Sequence, residues 1–200
     1  MDVPVNCDDR GIPELGANAR VRLLELARDA VHAAIRGDAA APGTGTTEPD
    51  PLGKPGASFV TLKRAGTLRG CIGSLERHRL LADDVCHNAH AAATRDPRFP
   101  PLARNEITDL TCTIAVLTSP EPLLAPDRPS LLETLRPHRD GLILHAAGRR
   151  ATFLPAVWDN LPDPEAFVTA LLQKAGLPPD AWPEPLQAWR YESIEVHGTL

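Results

Sequence analysis

The spacing of apolar positions predicts a helix near the start of the chain. Leu24, Val31 and Ile35 recur at helical spacing within residues 18–36, and alanines widen the apolar stripe between them. Gly37 follows the last turn, where a glycine commonly ends a helix. We therefore expect a first helix over residues 18–36.

Two further segments have helical patterns with recognisable ends. Residues 80–94 are rich in alanine and carry Asp83 and Asp84 near the start, where carboxylates complement the helix dipole. The sequence Asp-Pro-Glu at 163–165 offers a capping carboxylate and a proline at the first helical position, and Gly176 closes the apolar pattern. These features predict a second and a third principal helix.

Alternating apolar and polar residues predict at least six strands. The clearest alternation covers residues 110–116, and two short strands at 58–63 and 68–72 flank a turn, as in a hairpin. The other predicted strands cover residues 141–145, 149–154 and 189–196. Helices and strands in this mixed order favour an α+β fold over a regular doubly wound sheet.

Two segments are predicted to lack regular structure. Residues 1–17 form a polar, proline-containing tail, and residues 37–56 hold so many glycines and prolines that we expect a mobile loop without helix or strand. The remaining length fits one domain over residues 18–200.

Composition and charge narrow the class of protein. The chain of 200 residues is 42 % hydrophobic and 24 % charged, as in globular proteins, and its net charge of −5 disfavours non-specific binding to nucleic acid or to anionic membranes. Neither a signal peptide nor an apolar run long enough to cross a membrane is visible, so we expect a cytoplasmic protein. Its four cysteines contain no C-x-x-C pair and are expected to be free thiols.

The sequence LRGCIG, residues 68–73, is the main candidate site. Gly70 and Gly73 flank Cys71 and Ile72, so the strand can approach a ligand closely and leave the thiol within reach. Arg69 can stabilise the thiolate, which would make Cys71 a nucleophile. The competing interpretation is that the glycines serve close packing and that Cys71 is a small core residue.

A nucleophilic thiol needs a proton acceptor, and the candidates are His90 and Glu76. His90 lies on the second predicted helix, which can pack on the hairpin, although a half-exposed histidine without a role is the simpler interpretation. His87 and His90, with Cys86 adjacent, have a spacing that can share a metal ion, but no metal site is predicted because Cys86 points off the face of the two histidines.

Arginines after the second helix are candidates for binding an anion. Arg95 and Arg98 belong to RDPRFPPL, residues 95–102, and with Arg69 they offer guanidinium groups for a phosphate or a carboxylate. Asp96 is expected to have a structural role, in a turn where it pairs with Arg95 and the backbone.

Four separated stretches resemble a known family. They are LRGCIG at residues 68–73, RDPRFPPL at 95–102, LTSPEPL at 117–123 and GRRATFLPAVWDNLP at 148–162. Together they resemble the AMMECR family, whose bacterial members are called protein A of the AmmeMemoRadiSam system, and the resemblance covers residues 18–196. It implies an α+β fold of two subdomains: an antiparallel sheet flanked by helices, with a smaller α/β subdomain inserted into it.

The resemblance implies a component of a modification pathway but assigns no reaction, cofactor or metal. Bacterial and archaeal members of the family suggest two partners, a Memo-like protein and a radical S-adenosylmethionine protein. One hypothesis is a thiol-dependent enzyme that uses Cys71, Arg69, His90 and Glu76. The alternative is a non-catalytic subunit or scaffold that holds a small molecule or a nucleic acid through Arg69, Gly70, Gly73, Arg95 and Arg98.

Overall fold

The computed structural model describes residues 15–40, 43 and 51–200. Most of the predicted tail, including Cys7, and much of the predicted loop at 37–56 lie outside the described residues. The chain divides into two units: one holds Met1–Leu117 and Ile194–Leu200, and the other, Thr118–Ser193, is inserted between these segments. This division and the mixed secondary structure confirm the predicted α+β fold with a smaller inserted subdomain.

The described residues form four α-helices and ten strands. The helices are α1 (Ala17–Arg36), α2 (Leu81–Thr94), α3 (Arg128–Thr134) and α4 (Pro164–Lys174). The strands are β1 (Pro55–Gly56), β2 (Ser58–Arg64), β3 (Thr67–Gly73), β4 (Arg79–Leu80), β5 (Leu110–Leu117), β6 (Glu121–Leu123), β7 (Gly141–Ala146), β8 (Arg149–Phe153), β9 (Leu186–Tyr191) and β10 (Ser193–Thr199). None of the described helices is long and apolar enough to span a membrane.

The first unit contains a four-stranded sheet in the order β10-β5-β2-β3. Strand β2 is antiparallel to both β3 and β5. Helices α1 and α2 pack on each other, and α2 lies on β2 and β3. Apolar side chains from both helices and from the sheet form one buried cluster, which includes Leu23, Val31, Val60, Leu62 and Ile114. The hydrophobic effect of this burial fixes which sheet face lies under the helices.

The inserted unit has its own core. Its sheet has the order β6-β9-β7-β8 with antiparallel neighbours. Trp158 stacks on Phe167 of α4 with ring centroids 3.8 Å apart. Asp163 caps α4 by accepting a hydrogen bond from the Ala166 amide at 2.9 Å, as its sequence predicts.

Several boundaries confirm the sequence-based predictions. Helix α1 ends at Gly37, which has the left-handed backbone conformation with φ of +79°. The hairpin β2–β3, helix α2 and strands β5, β7 and β8 fall within one or two residues of their predicted limits.

Two predictions of secondary structure were wrong. The single strand predicted for residues 189–196 is two strands, because the chain leaves the sheet of the inserted unit at Tyr191 and joins the sheet of the first unit through β10. The predicted loop at 37–56 ends in a short strand, since Pro55 and Gly56 pair with Leu80 and Arg79. The other elements that the sequence did not indicate are all short: α3, β4, β6 and two 3-10 helices, Arg104–Asp109 and Pro155–Asp159.

Candidate functional site

The site is built on β3, which lies at one edge of the first unit's sheet. Successive residues of a strand point to opposite faces. Gly70 pairs with the fully buried Leu62 on the core side, and Cys71 pairs with the half-buried Thr61 on the other side. The thiol of Cys71 therefore lies on the sheet face opposite the helices.

The two glycines of this strand are needed for close packing. A Cβ atom on Gly70 would lie 2.1 Å from the carbonyl oxygen of Ala92, so α2 approaches the strand where Gly70 has no side chain. A Cβ atom on Gly73 would lie 2.2 Å from the ring of Phe59. Both glycines are thus occupied by neighbours within the first unit, which supports the packing interpretation of their role.

Cys71 is held through both its backbone and its sulfur. Its amide donates a hydrogen bond to Oδ2 of Asp96 at 2.8 Å, which satisfies a donor on the free edge of the sheet. The hydroxyl of Thr61 donates to Sγ of Cys71 at 3.2 Å. Cys71 itself is a free, half-buried thiol.

Asp96 joins Cys71 to Arg98. The Arg98 guanidinium donates to both oxygens of Asp96, with Nε–Oδ1 of 2.9 Å and Nη2–Oδ2 of 2.7 Å. These bonds, aided by the amides of Cys71 and Arg98, hold the pKa of the nearly buried Asp96 carboxyl well below its usual range. The expected turn exists, but the partner of Asp96 is Arg98 and not Arg95, because the turn folds Arg98 back over the carboxylate.

The guanidinium of Arg98 also lies within electrostatic reach of the thiol. Its pKa is raised, first by the hydrogen bonds to Asp96 and to a smaller extent by Cys71. The Arg98 side chain is 53 % exposed, whereas Asp96 is 2 % exposed. A buried carboxylate therefore holds a half-exposed cation within electrostatic reach of the sulfur.

A second arginine–carboxylate pair lies beside the first. Arg69 donates to both oxygens of Glu106, with Nε–Oε1 of 2.7 Å and Nη2–Oε2 of 2.9 Å. The bonds from Arg69 lower the pKa of Glu106 to about 2. The guanidinium carbons of Arg69 and Arg98 lie 5.8 Å and 5.6 Å from the centre of the Phe99 ring. Both cations thus interact with one aromatic ring.

The sequence analysis predicted that Arg69 acts on the thiol of Cys71, but in the structure Arg69 pairs with Glu106. The β2–β3 register shifts between Leu62 and Lys63, which pair with Gly70 and Leu68, so Arg69 is the extra residue of a bulge. Among the described residues, no hydrogen bond joins Arg69 to Cys71. The guanidinium near the thiol is that of Arg98.

The two predicted proton acceptors have other partners. His90 Nε2 lies 2.9 Å from the carbonyl oxygen of Asp38, after α1, and Nδ1 lies 3.5 Å from the Thr94 hydroxyl. Glu76 forms an ion pair with His78 at 2.7 Å. In the described part of the chain, no hydrogen bond links His90 to Cys71.

The remaining residues that the sequence analysis singled out are Arg95 and the histidines of α2, His87 and His90. The Arg95 side chain is exposed. Burial lowers the pKa of His87, and the nearby charges of Arg79 and Arg95 lower it further. Within residues 15–40, 43 and 51–200, no three His, Cys, Asp or Glu side chains are grouped so that they could hold a metal ion.

Sequence reasoning missed Thr61 and Glu106. The hairpin register could have pointed to Thr61, because a turn at residues 65 and 66 brings β2 alongside Cys71. Nothing local points to Glu106, which is 37 positions from its partner Arg69.

The arrangement defines an α+β protein with an inserted unit and a free thiol placed beside a carboxylate-held arginine. The AMMECR1 family model matches residues 24–196 of the chain. The chain therefore belongs to the AMMECR1 family.

Proteins from archaea are similar along most of the chain. A protein of Thermofilum pendens is 35 % identical over 191 residues, which cover 90 % of this chain and 89 % of that protein. A protein of Methanothermobacter thermautotrophicus is 37 % identical over 155 residues, which cover 74 % of this chain and 79 % of that protein. The crystal structure of the uncharacterized protein PH0010 from Pyrococcus horikoshii has a TM-score of 0.78 and 30 % identity, and the match covers 89 % of this chain and 95 % of that chain. This match supports the α+β fold.

Proposed function

We propose that the protein is a component of a modification pathway that uses Cys71 as a nucleophile. The observation that carries the proposal is the surroundings of the sulfur, where Thr61 donates a hydrogen bond at 3.2 Å and the guanidinium of Arg98 lies close by. Donors and cations beside a sulfur favour its anionic form, which is the nucleophile.

The proposed step is attack by sulfur on an electrophilic carbon. The thiol proton leaves to solvent, the sulfur bonds to the carbon, and the bond from that carbon to its leaving group breaks with both electrons going to the leaving group. Arg98 binds an anionic group on the substrate, because its Nη1 is not used by Asp96 and its side chain is 53 % exposed. Glu76 and His90 stay predictions as proton acceptors, and each would have to exchange its present partner.

A matched pair of alkylating reagents tests this proposal. Iodoacetate carries a carboxylate and iodoacetamide is its neutral counterpart, while both react with sulfur in the same way. The cation of Arg98 should attract the anionic reagent to Cys71. We therefore expect the ratio of the iodoacetate rate to the iodoacetamide rate at Cys71 to be about fivefold higher in the folded protein than in urea. Peptide mass spectrometry on a Cys7→Ser chain measures both rates at each cysteine.

Two variants separate the local effect of Arg98 from a general effect of the protein's charge. Arg98→Gln should return the ratio to its value in urea, and Arg104→Gln, which changes another exposed arginine, should leave it unchanged. Equal ratios in the folded and unfolded protein would contradict the role of Arg98. A folded protein in which Cys71 reacts with neither reagent would contradict the nucleophile itself.

We also propose the pathway context that the resemblance implies. The partners would be a Memo-like protein and a radical S-adenosylmethionine protein, and the compartment would be the cytoplasm, where the three described free cysteines suit a reducing environment. Co-purification with each candidate partner tests this context.

A second candidate function is a binding subunit without catalysis. It is favoured by the exposed Arg95 and the half-exposed Arg98 on one segment, which can bind an anion whether or not Cys71 reacts. Under this alternative, Cys71→Ser retains ligand and partner binding while Arg98→Ala loses it. Under the nucleophile proposal, Cys71→Ser abolishes turnover.

A further inference from the structure

A groove in the first unit lies at the beginning of α2. It has a volume of about 320 Å³, at the lower end of the usual range for small-molecule sites. Its apolar wall is made of Pro51, Pro55, Leu81, Val116 and Leu117. The groove contains none of the residues of the Cys71 site.

The walls are held in place by backbone contacts. The amide of Leu81 donates to the carbonyl of Lys54 at 2.8 Å, and the amide of Leu117 donates to the carbonyl of Ala57 at 2.9 Å. Gly56 lies so close to α2 that a Cβ atom there would be 2.7 Å from Cβ of Leu81. The groove is therefore formed without a ligand, which lowers the entropic cost of binding one.

The charged residues that line the groove are both cations. They are Lys54 and Arg77, and Nη2 of Arg77 donates to the carbonyl of Leu117 at 3.1 Å, which fixes the guanidinium near the apolar wall. The groove also includes the first residue of α2, Leu81, where the helix dipole is positive. The first turn of α2 also carries two carboxylates, Asp83 and Asp84, and neither of them lines the groove. Asp84 is buried and engaged by Ser58 and Asn88.

We propose that this groove binds a small organic anion with an apolar body, such as an aryl or medium-chain carboxylate. The apolar wall removes the body from water, and the two cations fix the anionic end. The groove volume limits the body to one ring or a short chain. The proposal does not depend on the reactivity of Cys71.

Titration with 4-phenylbutyrate, followed by amide NMR on the full chain, tests the proposal. Saturable shifts are expected at Gly56, Leu81, Val116 and Leu117, and the neutral 4-phenylbutanol should bind at least about threefold more weakly. The absence of shifts at these amides at millimolar concentration would overturn the proposal. Equal affinity for the acid and the alcohol would overturn it as well.

A pair of lysine variants serves as the matched control. Lys54→Gln should weaken binding of the acid about threefold and leave binding of the alcohol unchanged, since it removes one cation from the groove. Lys63→Gln makes the same change of charge on an exposed residue of β2 outside the groove and should change neither affinity. Equal weakening by both variants would show that net charge alone is responsible, which would overturn the site.

Discussion

Cys71 and Cys112 belong to the same sheet, yet their thiols have opposite surroundings. Cys112 lies on β5, is 1 % exposed, and burial raises its pKa to about 12. Cys71 lies on β3, is half-buried, and accepts a hydrogen bond from Thr61. One thiol is a core residue and the other is the candidate nucleophile.

The difference follows from the register of the sheet. Leu62 of β2 pairs with Cys112 on one side and with Gly70 on the other, so this row of residues points into the core. The next row contains Thr61, which pairs with Cys71 and Thr113 on the face opposite the helices. The two thiols thus lie on neighbouring rows of the sheet, which point to opposite faces: Cys112 points into the core, and Cys71 points to the face with the polar Thr61.

The largest expected effect comes from closing the space above Gly70 on the core face. In Gly70→Ala, the new Cβ atom meets the carbonyl oxygen of Ala92, which belongs to a helix backbone and cannot move cheaply. We expect a loss of about 3 kcal/mol in the free energy of unfolding, measured by urea denaturation. In the matched variant Gly73→Ala, the new Cβ atom meets only the half-buried ring of Phe59, so the loss in unfolding free energy should be smaller. Equal losses for the two variants would contradict the difference between the two faces of the sheet.

Removing the charge of Asp96 should have the next largest effect. Asp96→Asn weakens both the Arg98 pair and the bond from the Cys71 amide, with an expected loss of about 2 kcal/mol in unfolding free energy at pH 7. Asp109→Asn, an exposed acid on the neighbouring 3-10 helix, serves as the control and should be near neutral. A small effect of Asp96→Asn would mean that the carboxylate does not anchor Arg98.

The Glu106 pair predicts a dependence of stability on pH. The pKa of Glu106 falls from an ordinary value of 4.5 to about 2, so its contribution is complete above pH 4.5 and is lost as the pH falls towards 2. The full shift corresponds to about 3 kcal/mol, and because solvent screens this partly exposed pair, the stability difference between the wild type and Glu106→Gln should shrink by about 2 kcal/mol between pH 6 and pH 2. Urea denaturation of both chains across this range measures it, and a constant difference would contradict the account.

The smallest expected effect is that of the donor on the sulfur. Thr61→Val keeps the shape of the side chain but removes the hydrogen bond to Sγ of Cys71. We expect the alkylation rate of Cys71 to fall about threefold at pH 7, since one neutral hydrogen bond is lost. Thr113→Val, on the same row but one strand further away, should leave the rate unchanged.

The sequence indicated the long elements because their signals are local. The apolar stripe of α1 and the glycine after it, or the capping Asp163 of α4, are visible within a few residues. The break between β9 and β10 at Glu192 is not visible in the sequence, because apolar and polar residues keep alternating there while the chain passes from the sheet of the inserted unit to the sheet of the first unit. Glu192 is fixed by partners far away in sequence, Arg136 and Arg139, which no local pattern reveals.

The candidate site was predictable in residue type but not in pairing. Cys71 was named from its flanking glycines and from the family resemblance, and Arg98 was named as a contact for an anion; the structure places both residues around Asp96. The bulge at Arg69 broke the alternation that placed Arg69 beside the thiol, and Glu106 holds that arginine from a helix that the sequence did not indicate. Contacts of this kind depend on tertiary packing and not on spacing along the chain.

The most direct test is the alkylation rate of each described cysteine in the folded protein, with Cys7→Ser as background and Cys71→Ser as control. We predict that iodoacetamide modifies Cys71 at least about 100-fold faster than Cys112 or Cys86, which should react only after opening of the core. If Cys71 is as protected as Cys112 until denaturant is added, the thiol is a core residue and the central claim is wrong.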